Sequence, residues 1–105
     1  MSALLVVTYD VSDADRFADY NPGSLKALRA TIDKHGGEVL AGGLADITVG
    51  TGQEKCVVIA FPDADSAKAW QDDDEYAPLK AIRYESTTNI TELIVGGSKL
   101  AVASK

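Results

Sequence analysis

Two runs of this chain are apolar on both of the faces that a strand would present. Ala3 to Tyr9 (ALLVVTY) sets Leu4 and Val6 on one side and Leu5, Val7 and Tyr9 on the other, and Lys55 to Phe61 (KCVVIAF) behaves alike. Both read as strands covered from two sides. Thr87 to Val95 (TTNITELIV) predicts another strand. Glu38 to Ala41 predicts one more, resuming past Gly42-Gly43 as far as Thr48 or Val49. The glycine pair there suggests a bulge or a close backbone approach.

Between these runs the apolar period becomes helical. Ser12 with Asp15 three residues on is a capping-box pattern, and Phe17 and Tyr20 follow at i, i+3. Asn21-Pro22 interrupts that helix, with Asn21 placed to cap and Pro22 to open a second segment. Leu25, Leu28 and Ile32 form its one-faced stripe, and His35-Gly36-Gly37 ends it. Beyond the third strand, Asp63 is an N-cap for a helix from Ala64 to about Gln71. Asp72-Asp73-Asp74 stops it, and Asp74 is placed to cap the next helix, where Pro78 is tolerable near the start. In that helix Tyr76, Leu79, Ile82 and Arg83 fall at i, i+3, i+6 and i+7. A guanidinium therefore shares a face with an aromatic and a leucine.

The order β, α, β, β, α, β predicts an α+β, ferredoxin-like domain over residues 1–96: a four-stranded antiparallel sheet with helices on one face. Those helices cover only that face, yet the first and third strands are apolar on both. The uncovered face calls for a second copy of the same sheet, a sheet-to-sheet homodimer, because it would otherwise exceed the apolar patch a monomer usually exposes. Gly96-Gly97 releases a tail, 97–105, whose Leu100-Ala101-Val102 could join a sheet edge or a partner or could equally be loose.

Charge narrows the partners. With 16 acidic against 10 basic residues and a net charge of -6, the chain repels phosphate backbones and anionic lipid, so neither nucleic acid nor membrane is expected. The opening Met-Ser-Ala-Leu-Leu-Val-Val-Thr lacks a basic start and a long apolar core, so it does not read as a signal peptide, and a cytoplasmic location is expected. One Cys (Cys56) excludes an internal disulfide, and with one His (His35) it makes no structural zinc site. Gly50-Thr51-Gly52-Gln53 is a turn rather than a phosphate loop, and no nucleophile elbow is present. No cofactor or metal is implied.

Several pieces in order then carry a resemblance: Tyr9-Asp10-Val11, Asp19-Tyr20, His35-Gly36-Gly37 leading into Leu40-Ala41, Val57 to Pro62, Ala67 to Trp70, Glu75-Tyr76, Arg83 and Leu93-Ile94-Val95. Over residues 3–96 the chain resembles the domain-of-unknown-function-1330 family of the dimeric α/β-barrel superfamily. The resemblance implies ferredoxin-like homodimers with a cleft between helices and sheet and a largely unassigned role. Gly42 stands where that family often has an Arg, which puts an anion-binding role at that position in doubt. The wider superfamily holds cofactor-free oxygenases, muconolactone-type isomerases and heme peroxidases, so membership alone names no reaction. The heme branch uses a His deep in the fold, whereas His35 is predicted at a helix end.

The residues expected to bind a ligand are Arg83, Tyr76, Trp70, Tyr20 and His35. Arg83 beside Tyr76 could hold the carboxylate or phenolate of a small molecule, or instead lie paired with Asp74, Glu75 or a strand-end carbonyl. Trp70 could wall the same cleft or anchor a short alanine-rich helix in the core. Tyr20 could aim its hydroxyl inward or sit half-buried at a helix end, and His35 could act in the site or meet helix C-terminal carbonyls. Cys56 reads as an inert buried thiol, and Asp72 to Asp74 as a stop and cap rather than a cation loop. The functional expectation is a homodimer binding a small organic acid or phenol. The alternatives are a cofactor-independent oxygenase or isomerase, and a structural or regulatory dimer with no ligand.

Overall fold

In a computed structural model, residues 2–96 are described. Eight elements follow one another: β1 (Ala3–Val11), α1 (Ala14–Ala18), α2 (Leu25–Lys34), β2 (Glu38–Leu44), β3 (Lys55–Phe61), α3 (Ala64–Gln71), α4 (Ala77–Ser86) and β4 (Thr87–Val95). The strands form one antiparallel sheet in the order β2-β3-β1-β4, the ferredoxin-like α+β arrangement. No helix among the described residues is long and apolar enough to cross a membrane.

Strand alternation decides which side chains meet the helices. Leu5, Val7 and Tyr9 of β1 and Ile59 and Phe61 of β3 are buried with Phe17, Leu28, Ile32, Ala67, Trp70 and Tyr76, which makes one core between sheet and helices. The stripe foreseen in α2 supplies Leu28 and Ile32, with Leu25 partly buried beside them. Gly37 lets the chain turn from α2 into β2 against this core. A Cβ there would come within 2.7 Å of both Ile32 and Phe61.

The opposite face of the sheet is also apolar, and no described element covers it. Leu4 lies beside Ala60 and Val95, and Val6 beside Val58 and Leu93. Leu93 and Val95 are 43% and 52% exposed, and the other four are half-buried.

Local chemistry moves several boundaries from their expected places. Asp13, not Ser12, caps α1, its carboxylate accepting from the Arg16 N–H at 3.1 Å, while the N–H groups of both Ser12 and Asp13 donate to the Ser86 carbonyl. Pro22 does not restart the helix. Residues 19–24 form a turn, the Ser24 hydroxyl donates back to the Asp19 carbonyl at 2.7 Å, and α2 begins at Leu25. β1 runs two residues beyond Tyr9. An irregularity against β4 between Thr8 and Asp10 keeps it paired, with Asn89 at φ 54 donating to the Asp10 carboxylate.

β2 passes unbroken through Gly42-Gly43 and ends at Leu44. Its register shift falls between Val39 and Ala41, so the bulge lies at Leu40 rather than at the glycines. The residues beyond, 45–54, form a loop closed by Ala45 donating to the Glu54 carbonyl, and not a strand to Val49. Asp63 caps α3 as expected, accepting from the Ser66 N–H at 2.7 Å. At α4 the capping work falls to Asp73 instead of Asp74: its carbonyl accepts from Tyr76 and Ala77, and its carboxylate from Glu75. The expected role of Leu100 to Val102 lies outside the described residues.

Candidate functional site

The layer between helices and sheet is not completely filled. A cavity of about 260 Å³ opens there, walled by α2, β1 to β3, Trp70 at the end of α3, and Tyr76 and Arg83 of the α4 region. Its floor is aliphatic, from Val7, Val57 and Ile59, and its upper wall aromatic. Gly42 leaves the helix face of β2 bare beside it. A Cβ at that position would make ordinary contacts, with the Val57 methyls at 3.6 and 3.8 Å and the Cys56 carbonyl oxygen at 4.0 Å.

Arg83 is 3% exposed, and α4 brings it to the cavity because it lies seven residues, two helical turns, beyond Tyr76. Its Nη2 donates to the Tyr76 hydroxyl at 3.2 Å and to Glu92 Oε2 at 2.5 Å. Nη1 is buried and has no hydrogen-bond partner among the described residues. The guanidinium carbon also lies 4.9 Å from the Tyr84 ring centroid and 5.9 Å from that of Tyr9. Burial works against its charge, but Tyr76 and Glu92 outweigh burial, and its pKa is raised.

Glu92 completes the network from behind. Its second oxygen accepts from Gln71 at 2.9 Å, and Oε2 also accepts from the Tyr84 hydroxyl at 2.8 Å. Burial alone would lift its pKa; the hydrogen bond from Arg83 and those of Tyr84 and Gln71 leave it lowered. The Tyr84 phenol is pushed up to about 12, by burial and then by the Glu92 bond.

Trp70 stacks on Tyr76 at 4.1 Å between ring centroids and 22° between planes. Its N–H donates to the Thr31 hydroxyl at 3.0 Å, which in turn donates to the Leu28 carbonyl at 2.7 Å. Trp70 is thus core anchor and cavity wall at once. Tyr20 is 7% exposed, packs on Phe17 with centroids 5.8 Å apart, and borders the cavity. Burial raises the pKa of Tyr9, Tyr20 and Tyr76, so three neutral phenols surround the space.

Arg83, Tyr76, Trp70 and Tyr20 therefore share one wall, whereas His35 does not border the cavity. At the end of α2, His35 Nε2 lies 2.6 Å from Asp73 Oδ2, an oxygen it shares with Lys34 Nζ at 2.8 Å. These contacts tie α2 to the turn that starts α4. Sequence reasoning missed Glu92, although Ile90, Glu92 and Ile94 alternate to one face of β4, which left a readable signal: one carboxylate among apolar positions. It also missed Arg29 and Lys55, both at the cavity. Arg29 stands at i+4 from Leu25 in the apolar stripe of α2. Cys56 is half-buried and free.

A family model described as a domain of unknown function (DUF1330) matches residues 2–98. No curated protein matches. Solved structures do, at identities that establish the fold alone. A protein of unknown function from Rhodopseudomonas palustris is 12% identical over 93% of this chain and 83% of its own, with a TM-score of 0.71. A dimeric protein of unknown function and ferredoxin-like fold from Bacteroides fragilis is 15% identical over 91% of this chain and 96% of its own, with a TM-score of 0.62. SnoaB, a cofactor-independent oxygenase from Streptomyces nogalater, is 10% identical over 93% of this chain and 94% of its own, with a TM-score of 0.63.

Proposed function

The chain belongs to the DUF1330 family, and on that premise we propose that it is a homodimer, joined through the open sheet face, whose interior cavity binds a small organic acid or phenol. The observation that carries the ligand reading is the cavity itself, with a buried Arg83 in its wall whose Nη1 has no acceptor among the described residues. Buried donors without partners are rare because each forfeits its hydration, so an oxygen brought by a ligand would relieve a cost already present. At about 260 Å³ the space suits one substituted ring rather than a large cofactor.

The dimer rests on the uncovered row of Leu4, Val6, Val58, Ala60, Leu93 and Val95 and on the dimeric state of the Bacteroides fragilis relative. Burying that row against its own copy removes it from water at no cost in unpaired polar groups. Sedimentation velocity at micromolar concentration is expected to give a dimer, and Val6→Asp a monomer. A monomeric wild type would overturn the assembly.

Thermal melting with a panel of benzoates and phenols tests the ligand. A binder present at about a hundred times its Kd stabilises by about 2.7 kcal/mol, a shift of several degrees in a chain of this size. Arg83→Met, compared with its own unliganded melt, is expected to lose that gain. A panel without any shift would turn the reading toward a structural dimer.

A second reading is a cofactor-independent oxygenase or isomerase. It is favoured by the buried neutral phenols, which would keep water from an enolate or phenolate, and by the likeness to the Streptomyces nogalater oxygenase. Oxygen uptake with a quinol-type substrate separates the oxygenase from a simple binder.

A further inference from the structure

The cavity wall contains three cations, Arg29, Lys55 and Arg83, and no carboxylate among its described residues, in a chain where acids outnumber bases 16 to 10. These cations are not equivalent. Arg83 is already neutralised by Glu92 behind the wall, so the inner end offers hydrogen bonds from phenols and a guanidinium but no net charge. A bare carboxylate would gain little there against the loss of its water.

Arg29 and Lys55 make no ion pair among the described residues. Arg29 is exposed and reaches the cavity from α2, where Leu25, Leu28, Arg29 and Ile32 fall at i, i+3, i+4 and i+7 on one face. Lys55 opens β3 opposite Tyr9, so it projects to the helix side of the sheet, and it is half-buried. Between these two elements β2 contributes Gly42, whose missing side chain leaves room at the opening.

We propose that Arg29 and Lys55 form a carboxylate-binding mouth, and that the ligand is a planar aromatic or enolic monocarboxylate. Its far end carries a neutral hydroxyl or carbonyl oxygen that meets Tyr20, Tyr76 and the free nitrogen of Arg83. This assignment rests on the ligand-binding reading above and gives the ligand a direction. The charge sits outward, where two cations stay in reach of water, and the neutral oxygen sits inward. Trp70 and Tyr76 supply the flat wall between.

Calorimetric titration with 4-hydroxybenzoate, 4-hydroxycinnamate, the methyl ester of each, and phenol tests it. The two acids are expected to bind tightest, and to weaken as salt is raised while the esters do not. Arg29→Gln with Lys55→Gln is expected to weaken the acids about tenfold and to leave the esters and phenol within about twofold. Both positions lie outside the core, so this variant folds. Gly42→Val, filling the opening, is expected to weaken every probe. Equal binding of acids and esters to wild type, or acids untouched by the double substitution, overturns the orientation while the ligand reading stands. No binding of any probe to wild type overturns both.

Discussion

Of the charge groups that touch α4, the two at its start and near its end work by different physics. At its start, Asp73 takes Lys34 and His35 on one oxygen and the Glu75 N–H on the other. Near its end, Arg83 meets Glu92. The Asp73 carboxylate is 5% exposed, but its cover is two side chains at the surface, one of them, Lys34, 48% exposed. Arg83 and Glu92 are 4% and 14% exposed and are covered by the core, Tyr76 and Tyr84. A pair with one member at the surface gains little because water competes for that member, here Lys34. A buried pair is worth more to geometry than to stability: removing one member strands a charge, while removing both can cost nothing. The inner pair therefore fixes where a guanidinium sits beside the cavity, and the outer cluster pins one turn.

Breaking the inner pair from each side in turn is expected to give the largest effects. Glu92→Leu leaves Arg83 charged and cut off from water, and should cost about 3 to 5 kcal/mol in urea unfolding. Arg83→Met should cost less, about 2 kcal/mol, because Glu92 keeps Tyr84 and Gln71 and lies nearer solvent. The double variant should recover most of the loss, since an apolar pair of similar volume replaces an ionic one. Additive losses would mean that the two residues act separately and that the buried-pair account fails.

How far the sequence announced this arrangement depends on the kind of signal. β3, α3 and β4 were readable to the residue because apolar period, the Asp63 cap and the serial aspartates all agree there. The shared wall of Tyr76 and Arg83 followed from helical spacing alone. Glu92 was not foreseen because its partner Arg83 is on α4, packed on the same face of the sheet, and a single sequence carries no pairing information between a strand and a helix. Asn21-Pro22 misled because a good cap and a good first residue describe a turn as well as a helix start. His35 was placed correctly at a helix end, but only the third dimension shows it meeting Asp73 38 positions away.

The outer cluster gives a smaller, pH-dependent effect. The hydrogen bond from Lys34 foremost, then that from His35, holds the Asp73 carboxyl well below its ordinary value of 3.8. A carboxyl with a depressed folded pKa contributes stability that is fully present above the unfolded value and disappears as pH falls through the folded one. Lys34, raised above 10.5 chiefly by Asp73, contributes below its unfolded value and loses that contribution as pH rises through the folded one. The cluster should therefore support the fold between about pH 4 and 10. Asp73→Asn should lower Tm across that window and flatten the acid limb of wild type below about pH 4. An unchanged acid limb would assign acid unfolding to other carboxylates and leave the cluster without an energetic role.

The smallest effect belongs to a third pair, which marks the fully solvated end of the comparison. Arg16 bridges Asp19 at 3.1 Å and Glu85 at 2.9 Å, linking α1 to α4, but the side chains are 40% and 60% exposed. Its pKa is raised by the hydrogen bond to Glu85 and then by Asp19, yet water stands ready to replace both partners. Arg16→Gln, which removes the charge, should leave Tm unchanged within error and should respond to salt no differently from wild type. A clear loss would show that α1 depends on this bridge for its docking, and the line between pairs that place a residue and pairs that merely exist would have to be drawn by position on α4 rather than by burial.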